Sequence, residues 1–468
     1  MLLYASSLAP SRENESNSAA RAIRRHAGSE QGELQQLQGA SFASSATGSV
    51  PLAACAINHI ITLVFNASIR KAFIVYRYET TEAVATGVRR IEELRARLDA
   101  QGPLPRIWLG RTRRDLEAEA VAASTIMEGV AVTVDEARRI LAGDRPTGVS
   151  AEDIDLVDGY RDAMRFVLAR ADAGAFQWQS ELLLSLHHLV LGGSYAKGAG
   201  RFRETQNWLT NRASGAQVYL PPPAEKVPSL VNDLTAWIQA TDEPGPVASA
   251  LAHVTVAGIH PFSDGNGRTA RIVASLAMYR AGYRLPQFTS LEEWWGRHLE
   301  DYYSAFDCLG TEWAPDTDVT PFVEAHVHAQ VAQVEALSLR NTTERALWTV
   351  LQDVAVIDMG LNERATHALY DAFFARDVTN RYYRGMADVS EVTASHDLGK
   401  LVASGALEAR GAGRSAHYVA APALYELVVQ HAELDPRWLG VPGGTVAQRD
   451  AVLTGLANRL HATSDARP

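Results

Sequence analysis

His260-Pro-Phe-Ser-Asp-Gly-Asn-Gly-Arg-Thr-Ala-Arg271 is the stretch whose reading decides this 468-residue chain. Gly265-Asn266-Gly267 is sterically free to take positive φ, so successive backbone N–H groups can converge on one point. Beyond it Ile272, Val273 and Leu276 recur on one face of a predicted helix, while Arg268 and Arg271 share another. A glycine loop that opens a helix presents free N–H groups at the positive end of the dipole, which makes an anion site. Arginines one turn further in can fork onto additional phosphate oxygens. Upstream, Ala250, Leu251, Val254 and Gly258 predict a helix that Pro261 stops. That leaves His260 at the lip and Asp264 beside the phosphates. Taken singly, His260 reads as a capping or surface residue and the arginines as a solvated helix face. Taken together they point to a nucleotide site.

These residues also resemble a known family. The stretch matches the signature His-x-Phe-x-(Asp/Glu)-Gly-Asn-Gly-Arg-x-x-Arg of the Fic (filamentation induced by cAMP) domain at every fixed position. The resemblance implies transfer of AMP from ATP to a Ser, Thr or Tyr hydroxyl of a target protein. It implies that His260 is the base and that Asp264 holds Mg²⁺ against the phosphates. It makes Gly265, Asn266 and Gly267 the anion hole, with Arg268 and Arg271 on the β- and γ-phosphates and Phe262 anchoring the loop in the core. Phosphoryl transfer, as in the death-on-curing branch, usually has Lys where this chain has Gly267.

Asp115 to Met127 reads as a helix with Leu116, Ala120, Ala123 and Met127 on one face. Ser124 and Glu128 lie four residues apart and Gly129 is a natural stop. A glutamate at a helix C terminus opposes the dipole, which suggests a cationic partner. Ser124-Thr-Ile-Met-Glu128-Gly129 is similar to the (Ser/Thr)-x-x-x-Glu-(Gly/Asn) motif that precedes many Fic cores. The resemblance implies that Glu128 pairs with Arg271 and competes with the γ-phosphate for the same donors. The inhibitory helix is expected over residues 115–129.

Between these motifs, Ala151–Ala171 and Gln179–Leu191 predict two helices, with His187-His188 assigned to packing and capping. Gly200–Trp208 and then Gly215-Ala216-Gln217-Val218-Tyr219, closed by Pro221-Pro222-Pro223, predict a short hairpin with an exposed edge. An open edge can add a strand from an extended target. Its position and composition resemble the Fic flap, which makes residues 215–219 the expected target-docking element. A helix over Val227–Ile238 leads back to the motif, and the aromatics from Leu291 to Cys308 read as core.

Composition bounds the rest. Hydrophobic content of 47% and charged content of 21% are ordinary for a soluble globular protein. Two cysteines make no disulfide framework, which fits a reducing cytoplasm. A net charge of -10 argues against bulk electrostatic coating of nucleic acid. Residues 1–70 read as disordered or non-native, with translation starting near Arg70 as one alternative. The apolar run Leu52–Phe65 is too short to span a bilayer comfortably, so no membrane partner is expected. A charged helix over Thr81–Leu98 lies in an N-terminal extension, 71–115, and Arg106–Arg114 reads as a solvated turn.

A Fic domain is expected over 116–340, with Thr320–Arg340 as a long connector helix. Helices at Glu344–Val354 and Val389–Val402, followed by strand, glycine turn and strand over Leu407–Val419, resemble a winged helix-turn-helix across 341–425. A helical tail, 426–468, follows. The fold class is thus mainly α, a Fic-type helical bundle with a β-hairpin flap and a C-terminal winged helix domain. A homodimer, and DNA through the near-neutral C-terminal module, are left open, as are removal of AMP by the same site and a DNA-binding regulator with a vestigial Fic domain.

Overall fold

A computed structural model describes residues 3–7, 76–100, 106–130, 132–211, 215–285, 291–440 and 444–465. The chain divides into two compact units, Met1–Gln333 and Val334–Pro468. The apolar run Leu52–Phe65 and most of the expected N-terminal segment lie outside the described residues.

The first unit is mainly helical. α1 (Glu82–Ala100) buries Val84, Ile91, Leu94 and Leu98, as its spacing predicts. α2 runs Arg106–Met127, so the basic stretch read as a solvated turn instead forms the first turns of the helix. Arginine is a good helix former, and a run of charged residues by itself fits a helix as well as a turn. α3 (Val134–Leu141) starts from a capping box in which Thr133 and Glu136 exchange hydrogen bonds. α4 (Ala151–Ala171) is capped by Ser150, and α5 (Ser180–Val190) buries Leu183, Leu186, His187 and Val190. β2 (Asn207–Asn211) and β3 (Gln217–Tyr219) form the predicted hairpin, and β1 (Leu3–Ser7) pairs antiparallel with β2. The exposed edge expected of this hairpin is therefore taken on the β2 side. Among the described residues β1 and β3 are the edge strands, and just past β3 Leu220 bridges to Glu312.

α6 (Val227–Ala240) leads into α7 (Gly245–Ile259) and α8 (Asn266–Arg280), the central hairpin of the unit. Along α7 nearly every residue is buried, and α8 is buried from Arg268 to Met278. A helix apolar all round belongs inside a protein. Gly258 admits the Tyr76 hydroxyl, which a Cβ there would strike. α9 (Glu292–Arg297) lies against α2 at Gly296, where a Cβ would come within 2.7 Å of the Ala123 methyl. Trp295 and, from α10 (Leu299–Ser304), Tyr302 pack with Met127 and Ala329, so the aromatics of this segment are core as read from sequence.

α11 (Thr320–Asp353) is one helix of 34 residues. The separate helix expected at Glu344–Val354 is its C-terminal part, because nothing between Arg340 and Glu344 breaks the ladder. The unit boundary, at Gln333, falls before the expected 340/341. In the second unit α12 (Thr366–Phe373), α13 (Asn380–Ala387) and α14 (Glu391–Ala403) precede β4 (Leu407–Arg410) and β5 (His417–Ala420), an antiparallel pair that begins at Leu407 opposite Ala420. α15 (Pro422–His431) and α16 (Gly444–Asp465) follow. The core gathers Leu369, Phe373, Leu398, Leu401, Leu424 and Val428. Among the described residues no helix is long and apolar enough to cross a membrane.

Candidate active site

The site lies where α7 ends and α8 begins. His260 caps α7 with φ 49 and ψ 59, in the left-handed region. For a residue with a Cβ such a conformation costs about 1–3 kcal/mol and persists where its surroundings over-determine it. Pro261 then removes the donor that would continue the helix. Burial pushes the His260 imidazole down to about 4, aided by the Arg203 charge and opposed by Glu128. The Ala257 backbone opposes that fall, and the uncharged ring keeps a lone pair on one of its nitrogens. A neutral imidazole with a free lone pair is a base at neutral pH.

The loop that follows is held from inside. Phe262 is fully buried and stacks on His187, with ring centres 3.7 Å apart. Asn266 closes the turn by accepting from Phe262 N at 2.9 Å and donating back to Phe262 O at 2.9 Å. Its side chain is thus occupied, and its contribution to an anion site is its backbone. Gly265 is the N-cap of α8 at φ 74. Positive φ was expected across Gly265-Asn266-Gly267, but it occurs at Gly265 alone, because Asn266 and Gly267 are already helical. Gly267 is small for another reason. A Cβ there would come within 2.6 Å of Glu128 Oε1 and 3.1 Å of Arg271 Nη1.

No side chain caps the N terminus of α8, so its first N–H groups and the dipole remain available to an anion. Arg268 and Arg271 stand behind it with side chains 3% exposed, which rules out the solvated-face reading. Arg268 donates to Val190 O at 3.3 Å and lies 3.5 Å from Asp264 Oδ1. Asp264 is half exposed at 51%, and its Oδ1 also accepts from Gly265 N at 2.6 Å. Among the described residues no group of three or more His, Cys, Asp or Glu could hold a metal by itself. A lone accessible carboxylate suits an ion that takes its remaining ligands from phosphates and water, as Mg²⁺ does.

Arg271 is bound on several sides. Its Nη2 donates to Glu128 Oε1 at 2.8 Å and to Ser124 Oγ at 2.9 Å, its Nε to Ser124 Oγ at 3.2 Å, and its Nη1 to Tyr302 OH at 3.1 Å. Burial alone would raise the Glu128 carboxyl, but Arg271 and then Arg268 overcome it and hold it below the usual range. Glu128 lies one residue past the end of α2, in a turn that Gly129 completes at φ 83. Tyr303 OH secures that end by donating to Met127 O at 2.6 Å.

The hairpin exposes Gln217 and half-buries Val218, whereas Tyr219 turns inward and donates to Gly258 O at 3.0 Å. Gly215 and Ala216 are exposed at its start. Sequence reading missed three residues that shape the site. His187 links α5 to the loop, its Nε2 3.0 Å from Asp264 O and its Nδ1 accepting from Gly200 N at 3.1 Å. Tyr302 and Arg203 are the others. The Leu-His pattern of α5 marks the first, but Tyr302 looks like any core aromatic until Arg271 is placed beside it.

In the second unit, Arg384 pairs with Glu391 at 3.0 Å and Arg410 with Glu408 at 3.4 Å. Each such pair reduces the positive field a phosphate backbone would meet.

Residues 177–278 match the family model described as Fic/DOC family. The chain is 26% identical over 294 residues to "Protein adenylyltransferase Fic" of Nematostella vectensis, covering 62% of this chain and 60% of that protein. It is 30% identical over 199 residues to "Protein adenylyltransferase fic-1" of Caenorhabditis elegans, covering 41% and 38%. The chain thus spans less than two thirds of the length of these curated relatives. A Fic family protein of known structure from Desulfovibrio desulfuricans G20 aligns at 24% identity and TM-score 0.49, covering 74% of this chain and 98% of that one. The matched segment runs from just before α5 to Met278 in α8, so it takes in His260, the glycine loop and both arginines.

Proposed function

We propose that this chain is a protein adenylyltransferase that moves AMP from ATP to a Ser, Thr or Tyr hydroxyl of a target protein, and that Glu128 restrains it. The observation that carries this reading is His260, neutral through burial, beside an uncapped helix N terminus backed by two buried guanidinium groups. That combination supplies a base and a pre-organised anion cradle in one place. The α8 amides and Arg268 hold the phosphates in place. The outer edge of β3 takes the target backbone and brings a hydroxyl to His260. The free imidazole nitrogen accepts the hydroxyl proton, the oxygen bonds to the α-phosphorus, and the bond to pyrophosphate breaks. Mg²⁺ bound at Asp264 would supply charge neutralisation at the phosphates.

Restraint follows from the Arg271 donors. A γ-phosphate seated there must displace Glu128, whose carboxylate already occupies the fork. Transfer of label from α-labelled ATP tests the scheme: His260→Ala should abolish it and Glu128→Gly should raise it. Equal transfer by the native chain and both variants would rule it out.

Removal of AMP by the same site is the second reading. It is favoured by the 26% exposure of the Glu128 side chain, which lets the carboxylate orient a water. A Glu128→Gly variant that loses activity on an AMP-modified protein would select it. Regulation through DNA is disfavoured by the paired arginines of the second unit, and a gel shift with and without ATP checks this.

A further inference from the structure

Arg203 is a buried guanidinium whose hydrogen-bond acceptors are all main-chain carbonyls. The residue is 4% exposed. Its Nε donates to His260 O at 2.9 Å, its Nη1 to Thr205 O at 3.2 Å, and its Nη2 to Pro222 O and, at 3.5 Å, to Ile259 O. Its own N–H donates to Pro261 O at 2.9 Å. The neighbouring residues continue the seam. Gln206 Nε2 donates to Pro221 O at 3.0 Å, and Asn207 Nδ2 to Phe262 O at 3.2 Å.

Burying a cation without a hydrogen-bonded carboxylate is costly, and a neutral amide could satisfy carbonyls more cheaply. The acceptors explain the choice. Ile259, His260 and Pro261 are the residues whose backbone turns α7 into the loop, and Pro222 ends the segment that follows β3. One fork therefore spans the left-handed turn carrying the base and both roots of the hairpin, from Thr205 before β2 to Pro222 after β3.

We propose that Arg203 is a positioning residue that fixes the left-handed seat of His260 and locks it in register with the hairpin that presents the target hydroxyl. This inference rests on the adenylyl-transfer reading of the site and deepens it. The charge has a second effect on the imidazole. Two charged groups act on His260 from outside its own loop: Arg203, which lowers its protonation midpoint, and Glu128, which raises it. Removing Arg203 removes the first.

The test has two arms that fail independently. In the first, ring resonances of labelled histidine give the His260 midpoint in the native chain and in Arg203→Gln. The midpoint should lie near 4 in the native chain and rise in the variant, while that of His187 stays put. An unmoved His260 midpoint overturns the proposal whether or not the chain transfers AMP. In the second arm, Arg203→Gln is added to Glu128→Gly. Label transfer should fall by about 100-fold in kcat, the usual cost of a misplaced catalytic group, with the KM for ATP unchanged. A parallel loss in both constants, or none in kcat, would also overturn it. If Arg203→Gln does not fold, Arg203→Lys decides. Keeping charge but not the fork, it should lose kcat by about tenfold while retaining the native midpoint, and native kcat would refute the proposal. Absence of transfer in Glu128→Gly alone would count against the adenylyl-transfer reading and leave the first arm standing.

Discussion

Glu128 Oε1 sits 2.8 Å from Arg271 Nη2, joining the turn after α2 to the second turn of α8 across 143 positions of sequence. The carboxylate is partly exposed and the guanidinium is not, so the pair can open from the glutamate side without unburying the arginine.

The first prediction concerns that opening. A charge-assisted hydrogen bond contributes about 1.5–3 kcal/mol, so Glu128→Gly should raise label transfer by about 10- to 100-fold. Thermal stability should fall slightly, since Arg271 keeps Ser124 and Tyr302. Unchanged transfer, with ATP uptake demonstrated by calorimetry, would mean that the pair does not restrain the site.

Ser124 is the second partner of Arg271 and is fully buried. Its Oγ accepts from both Nε and Nη2. Ser124→Ala leaves those donors short of an acceptor in a dry site, and unfolding in urea should show a loss of about 1–3 kcal/mol. A loss below a few tenths would show that Glu128 and the Ser124 carbonyl suffice.

The histidines set the pH response. Burial pushes His187 and His260 down to about 4 and His326 to about 3, and it lowers His253 as well. Unfolded, each titrates near ~6.5. Between these values the unfolded chain binds more protons, so stability is complete above about 6.5 and is lost as pH falls toward 4. The melting midpoint should therefore drop steadily below pH 6.5. For the same reason the acid limb of label transfer should lie well below 6.5. A melting midpoint that stays flat from pH 7 to 4.5 would contradict the burial argument.

In the second unit Asp397 is the vulnerable group. Its side chain is 2% exposed, and it accepts from Arg364 at 2.8 and 3.3 Å and from Tyr383 OH at 3.0 Å. Arg364→Ala strands a buried carboxylate and should destabilise that unit by about 3–5 kcal/mol. Asp397→Asn, which also removes the charge, should cost less. The reverse order in chemical unfolding would show that the charge is not what matters.

Much of this was legible beforehand, for identifiable reasons. Gly265, Asn266, Gly267 and the two arginines sit within twelve positions, so local geometry governs them and spacing reveals it. The same holds for the Leu spacing of α5 and the glycine turn between β4 and β5. Arg203 and Tyr302 were not legible, since their roles come from carbonyls and guanidinium groups far along the chain. The basic start of α2 was misread because a run of arginines is equally compatible with a turn and a helix face.

The sequence by itself determined the helix–loop–helix that bears His260, because glycine, proline and helical periodicity act over a few residues. It also marked Glu128 as an acid at the wrong end of a helix. What the tertiary structure decided was burial: that both motif arginines are enclosed, which carbonyls Arg203 must serve, and that the ends of the Glu128 and Arg271 side chains crowd Gly267. Those facts depend on packing between distant segments, and packing sets the desolvation that keeps the His260 imidazole neutral and the distance at which Arg271 holds Glu128.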